Sequence, residues 1–189
     1  EFGCRSRYGA SSGRNLPQIV THILQKAFFR HALARNHLKS RRIGMEKIDF
    51  VLTWVDGSDP DWLAQRREYQ PGRGTDAGES RYRDWDNLQY WFRGVEKFAP
   101  WVNKIYFVTW GHVPKWLNTA HEKIQIVKHE DFMAPAYLPT FNINSIELNL
   151  HRIKGLSEHF VFFNDDMFLI DSVKQEDFFK NGLPCELLY

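Results

Sequence analysis

Asn164-Asp165-Asp166 directly follows the apolar run His159 to Phe163, so a strand end would hold two carboxylates on a rigid frame. Hard oxygen ligands held this way suit Mg²⁺ or Mn²⁺ bridging a diphosphate, and Asp165 and Asp166 are the expected metal ligands. A second cluster, Asp56-Gly57-Ser58-Asp59, also follows an apolar run. It joins carboxylates and a hydroxyl to a glycine that allows a tight turn or a close backbone approach. It is neither a Walker A loop nor a dinucleotide fingerprint, because the repeated glycines and the Lys-Ser/Thr are missing. Glu147 and His151 stand four apart, on one helix face, where they could ligate a metal or simply pair at the surface. No HExxH occurs, which disfavours a zinc protease. Asn142, Asn144 and Ser145 gather at an expected helix start, where free N–H groups suit an anion and also invite plain capping. Arg93 and Arg152 are candidates for phosphate binding or for exposed ion pairs. His112 and His129 are candidate bases. His129 is favoured, because the carboxylates beside it in sequence would raise its pKa.

The elements that must position these groups alternate between strand and helix. Ile48 to Val55 is an apolar strand, and Pro60 to Tyr69 a helix with Ser58 or Asp59 as its cap. Gln70 to Ser80 reads as a loop. Asp84 to Ala99 is the clearest helix, with Leu88, Trp91, Phe92, Val95 and Phe98 at three- and four-residue steps. Lys104 to Trp110 is a second strand, Pro114 to Asn118 a short helical turn, and Lys123 to Lys128 a third strand. Asn144 to Lys154 is a further helix, His159 to Phe163 a fourth strand, with a fifth strand and a short helix near Phe178 after it. This alternation predicts an α/β fold, a Rossmann-like, mostly parallel sheet with flanking helices. In such sheets ligands bind beyond the carboxyl ends of the strands. Here those ends carry Asp56 to Asp59, Gly111-His112, His129 to Asp131 and Asn164 to Asp166, so four polar clusters should converge on one rim.

The composition is that of a soluble globular protein: of 189 residues, 43% are hydrophobic and 25% charged. No apolar run reaches the roughly 18–20 residues that span a bilayer. The two cysteines, Cys4 and Cys185, are too few for a disulfide framework or a thiolate zinc site. The net charge of +2 hides an asymmetry, for residues 1–42 carry nine Lys and Arg against one acid. Residues 1–44 therefore read as a basic arm, with an amphipathic helix over Leu16 to Leu38 suited to an anionic membrane surface or an acidic partner. The remainder is net acidic, which argues against nucleic acid as a partner. Residues 45–189 form the expected compact domain.

Three stretches carry a family resemblance. IDFVLTWVDGSDPDW (Ile48 to Trp62) resembles the first conserved region of the Stealth family. Arg81 to Asn118 and Lys128 to Phe168 resemble its long second region. The resemblance implies a Rossmann-like catalytic core, a divalent metal, and transfer of a sugar 1-phosphate from a nucleotide sugar to an acceptor hydroxyl. A UDP-N-acetylhexosamine donor and a glycan acceptor of capsular or exopolysaccharide type are the partners it implies. On this reading Asp165, Asp166, His129 and Arg152 are catalytic. Trp54, Asp56, Gly57, Asp59, Arg93, Asn142, Asn144 and Glu147 then bind substrate. The family pattern is departed from at Ile143, where a small polar residue is usual, and at Trp110-Gly111. Two further family regions, one with a His-Pro element, lie beyond Tyr189, so an incomplete catalytic domain is expected. The expected location is cytoplasmic at the inner membrane face in a bacterium, or the Golgi in a eukaryote. The rivals are a metal-dependent glycosyltransferase, which releases UDP rather than UMP, and a non-catalytic nucleotide-sugar-binding module.

Overall fold

The structure is a computed structural model and describes residues 47–69, 82 and 84–185. The expected arm, residues 1–44, lies outside the described residues, as does the expected loop at 70–80. Among the described residues no helix is long and apolar enough to cross a membrane.

Four strands form one parallel sheet: β1 (Ile48–Thr53), β2 (Ile105–Thr109), β3 (Ile124–Lys128) and β4 (His159–Phe163), in the order β3-β2-β1-β4. Every residue of β1 and β2 is buried, as central parallel strands covered on both faces require. β3 and β4 keep partly exposed positions, as edge strands do. The register pairs Leu52 with Phe107 on one side and with Phe163 on the other, so the carboxyl ends of β1, β2 and β4 finish level.

Helices cover both faces. The main helices are α1 (Pro60–Tyr69), α2 (Leu88–Phe98), α3 (Ile143–Asn149) and the short α4 (Gln175–Phe178). On one face Phe50, Leu52 and Phe163 pack with Trp91 and Val95 of α2 and with Phe178 of α4. On the other, Val51, Tyr106 and Val108 pack with Ile146 of α3 and with Leu150 and Ile153 beyond it. The alternation of odd and even strand residues between the two clusters is the period-two geometry of a pleated sheet. An α/β Rossmann-like sheet was expected and is found.

Some boundaries differ from expectation. α2 begins at Leu88 rather than Asp84, because Asp86 takes a left-handed φ of 52°, which no helix can include. Pro114 to Asn118 forms turns without a helix. α3 stops at Asn149 and continues only as a 3₁₀ turn over Leu150–Arg152, before Gly155 at φ 86° ends the segment. The expected fifth strand does not join the sheet. It is β5 (Phe179–Lys180), which pairs antiparallel with β6 (Leu183–Pro184) across Asn181-Gly182, both at positive φ. Asn-Gly is the two-residue signal for such a hairpin.

The amino end of the sheet is fastened by Asp49, which is fully buried. Its Oδ1 accepts from Asn103 Nδ2 at 2.6 Å and from the Lys104 N–H at 3.1 Å, and its Oδ2 accepts from the Ser157 N–H at 2.7 Å. One carboxylate thus ties β1 to the entries of β2 and β4. Asp49→Ala strands these donors away from water. It should lower unfolding free energy by about 3 kcal/mol, read as a lower urea midpoint at unchanged slope. An unchanged midpoint would show that the donors find other acceptors.

Candidate active site

The strand order reverses at β1. The chain steps from β1 to β2 to β3, then crosses back to place β4 on the other side of β1. A crevice therefore opens beyond the carboxyl ends of β1 and β4, the usual ligand position in open α/β sheets. Asp56 to Asp59 border it from β1, and Asn164 to Asp166 from β4. Continuing the register of Leu52 with Phe163 brings Asn164 beside Thr53.

The β1 side is tightly built. Asp59 caps α1, its Oδ1 accepting the N–H groups of Asp61 at 3.0 Å and Trp62 at 2.8 Å. Pro60 follows as the first helical residue, where a missing N–H costs nothing. Asp56 Oδ1 accepts from Ser58 Oγ at 2.6 Å and from the Ser58 N–H at 2.9 Å. Burial works to raise the Asp56 pKa, but these two bonds, the nearby His112 and the Asp59 backbone outweigh it, and the net shift is downward. Gly57 presses against the backbone of Tyr82, so no side chain fits there. Behind it the Arg66 guanidinium lies 4.2 Å from the Tyr82 ring centre and 5.4 Å from that of Trp62. Trp62 also meets Phe141 edge-on at 5.7 Å, which brings the start of α3, with Asn142 and Asn144, to the same side. Asn142 there is an ordinary cap, accepting the Asn144 N–H at 3.0 Å, and both asparagines are exposed.

On the β4 side Asp165 and Asp166 are exposed. The surrounding chain still draws enough water from the Asp165 carboxyl to raise its pKa, and the charges of Asp166 and Asp84 push the same way. Since the residue retains access to water, this is a bias toward neutrality, not a fully neutral acid. The neighbourhood of Asp84 was not anticipated, and nothing in its sequence position signals it. Among the described residues no group of three or more His, Cys, Asp or Glu is placed to hold a metal.

Several expected site residues are placed otherwise. Trp54 is buried, stacked on Phe107 at 5.7 Å and edge-on to His112 at 5.2 Å, so it supports the rim from beneath instead of offering an open ring. Arg152 is exposed in the 3₁₀ turn after α3, five residues before Ser157, which bonds Asp49 at the opposite edge of the sheet. Its recorded partner is Asn149 Oδ1, at 3.4 Å. Arg93 lies on the outer side of α2, along a groove of about 510 Å³ beside β3 that also takes in Trp116, Leu117 and Ile124. Neither arginine joins the acidic rim. Glu147 is buried and His151 exposed, so the expected pair does not share an environment.

His129 corrects the sequence expectation most directly. Burial, followed by the nearby His112, lowers its pKa to about 4 instead of raising it. The adjacent carboxylates are engaged elsewhere. Glu130 pairs with Lys128 Nζ at 3.5 Å, and Asp131 Oδ2 accepts the Lys128 N–H at 2.7 Å. His129 is therefore neutral at pH 7. Because its folded pKa lies below the unfolded value near 6.5, its contribution to stability is full above that pH and falls as pH drops toward about 4. The loss across that window should be about 3 kcal/mol, and His129→Gln should flatten it. Equal slopes in urea midpoints between pH 4 and 6.5 for the two chains would refute this.

The sequence comparisons agree with this architecture. The description "Stealth protein CR1, conserved region 1" matches residues 46–74, and "Stealth protein CR2, conserved region 2" matches residues 81–185. A capsular polysaccharide phosphotransferase, WcwK, of Streptococcus pneumoniae is 58% identical over 142 residues, covering 74% of this chain and 43% of the relative. A receptor polysaccharide phosphotransferase, WefC, of Streptococcus oralis is 54% identical over 145 residues, covering 74% of this chain and 44% of the relative. A capsular polysaccharide phosphotransferase, CpsJ, of Streptococcus thermophilus is 53% identical over 141 residues, covering 72% of this chain and 59% of the relative. The chain thus spans less than two thirds of the length of each of these relatives. With both conserved regions matched across nearly all the described residues, the chain belongs to the Stealth family.

Proposed function

We propose that this chain carries the donor-binding rim of a sugar-phosphate transferase. It would move a sugar 1-phosphate from a UDP-sugar to a hydroxyl of an acceptor glycan of capsular or exopolysaccharide type. The observation that carries this reading is the pairing of Asp56 to Asp59 with Asn164 to Asp166 across the point where strand order reverses. The names of the relatives supply the reaction class, phosphotransfer on polysaccharide.

The acidic rim fits a divalent cation. Mg²⁺ is commonly held by one or two carboxylates together with substrate phosphates, not by a full protein cage. Asp165 and Asp166 would hold Mg²⁺ or Mn²⁺, which when bound supplies positive charge against the diphosphate. The raised pKa of Asp165 fits that role, since carboxylates that discourage each other's ionisation gain from a cation. The Asp56 to Asp59 loop, rigid through its own hydrogen bonds and the α1 cap, shapes the opposite wall. The acceptor oxygen attacks the phosphorus that bears the sugar, a new P–O bond forms, the bond to UMP breaks, and UMP leaves. The hydroxyl proton must be taken up at the rim. His129 is unprotonated at pH 7, but a base with a pKa of about 4 contributes little. A carboxylate of the Asp165–Asp166 pair would take it up by its position beside the reacting groups, not by greater basicity. Such chemistry depends chiefly on positioning and charge stabilisation.

The relatives named above are bacterial, which supports a reading in which a reaction drawing on UDP-sugar runs on the cytoplasmic side. The excess of basic residues in 1–42 supports contact with an anionic inner membrane face. The test is product analysis in the full-length protein with UDP-N-acetylglucosamine and an acceptor sugar. UMP release supports this reading. UDP release would replace it with glycosyl transfer, and binding without turnover would leave only a recognition module.

A further inference from the structure

His112 follows β2 and leans into the loop that follows β1. Its Nε2 accepts the Asp56 backbone N–H at 2.7 Å. That bond requires an unprotonated Nε2, so the proton of the neutral ring sits on Nδ1. Nδ1 has no hydrogen-bond partner and is shut from water, and it lies 3.6 Å from Asp59 Oδ2. One imidazole therefore addresses both carboxylate residues of the loop, Asp56 through its backbone and Asp59 through its side chain. The ring is itself fixed. Trp54 meets it edge-on at 5.2 Å and Trp110 lies tilted at 5.6 Å, with the Trp110 Nε1–H donating to Gln65 Oε1 of α1 at 2.9 Å. The backbone of His112 is anchored as well, since the fully buried Thr109 hydroxyl donates to its carbonyl at 2.7 Å.

We propose that His112, in its Nδ1-protonated tautomer, is a positioning residue that locks the Asp56 to Asp59 loop in the shape needed for a nucleotide sugar. The consequence for ligand binding rests on the donor-binding reading above; the lock itself does not. A backbone N–H held by a ring that aromatic side chains immobilise cannot drift, and the carboxylate three bonds away from it is held in turn by Ser58. Loss of that acceptor frees the Asp56 amide and releases the turn around Gly57. Glutamine is the conservative replacement, because its Oε1 stands as far along the side chain as Nε2 and can accept the same N–H. Phenylalanine keeps the packing against both tryptophans but offers no acceptor.

The experiment has two halves. Nitrogen-15 NMR of the unsubstituted 189-residue chain at pH 7.5 reads the tautomer. A protonated Nδ1 with a bare Nε2 is expected, and the reverse tautomer overturns the proposal even where no variant folds. Amide exchange and calorimetry with UDP-N-acetylglucosamine in Mg²⁺ then compare His112→Phe with His112→Gln. His112→Phe should expose the Asp56 amide to faster exchange and weaken binding about tenfold, whereas His112→Gln should keep both near the parent values. Equal protection of Asp56 in the parent and His112→Phe overturns the lock, as does an equal loss in the two variants. A parent chain that binds no UDP-sugar, yet shows the tautomer and the protected amide, removes the donor reading while the lock survives.

Discussion

Asp166→Ala is expected to bind UDP-N-acetylglucosamine at least about 100-fold more weakly in Mg²⁺, while melting close to the parent temperature. The two halves have separate causes. Asp166 is exposed beyond the end of β4 and belongs to neither apolar cluster, so its loss removes no packing. Its carboxylate nevertheless sits beside Asp165, whose pKa is raised in part by Asp166. On the proposed assignment, removing that neighbour would subtract one of two cation ligands, and it lets Asp165 ionise more easily. With one carboxylate in place of two, the rim would hold Mg²⁺ beside the diphosphate far more weakly. Calorimetry with and without EDTA checks the point. The parent should lose affinity when the metal is removed, and Asp166→Ala should show little further loss. A folded Asp166→Ala chain with the parent's metal-dependent affinity would end the assignment of this pair.

Much of the fold was legible in the sequence because its signals are local. α1 runs from Pro60 to Tyr69 as expected, since a proline at the first helical position is a local start signal, and of the two expected caps, Ser58 and Asp59, the structure uses Asp59. β4 likewise spans His159 to Phe163, where an apolar run meets Asn-Asp-Asp. The order of the strands was not legible, because pairing is set by burial across the whole sheet. The rim was legible as four polar strand ends, but not its internal partners. His129 was favoured over His112 on the strength of its sequence neighbours. In the folded chain those neighbours turn to Lys128, and the carboxylates near a histidine, Asp59 and Asp56, come from the loop after β1 and lie beside His112. Arg152 could have been excluded on direction alone. A helix that returns to the start of a parallel strand places its last residues at the edge of the sheet away from the rim. The same geometry explains why Asn142 and Asn144, at the start of that helix, lie on the rim side while Arg152 does not.

Gly57→Ala should reduce donor affinity by about 100-fold, the loss that roughly 1 Å of misplacement produces in a positioned site. A Cβ at this position would fall well inside contact distance of the Tyr82 carbonyl oxygen, 2.7 Å from Tyr82 Cβ and 2.8 Å from its carbonyl carbon. Two of those three atoms are backbone, so no rotamer change relieves the clash and one of the two segments must move. Tyr82 is pinned by the Arg66 guanidinium over its ring and by its hydroxyl, which donates to the Phe141 carbonyl at 3.4 Å. The movement therefore falls on the loop, between the Asp56 amide bonded to His112 and the Asp59 cap of α1. Gly94→Ala is the comparison, since its added Cβ would meet the Leu169 carbonyl oxygen at 3.2 Å and Leu169 Cβ at 4.0 Å, in mid-helix and outside the Asp56 to Asp59 loop. The tight contact there is partly offset by the gain of up to about 1 kcal/mol in helix propensity, so stability should change little and binding far less than in Gly57→Ala. Removing the Tyr82 side chain in the Gly57→Ala background should not restore affinity, because the offending oxygen and carbon remain. Restoration by Tyr82→Gly, or parent-like affinity in Gly57→Ala alone, would show that the loop has room to spare and that its close approach to Tyr82 does not set the shape of the site.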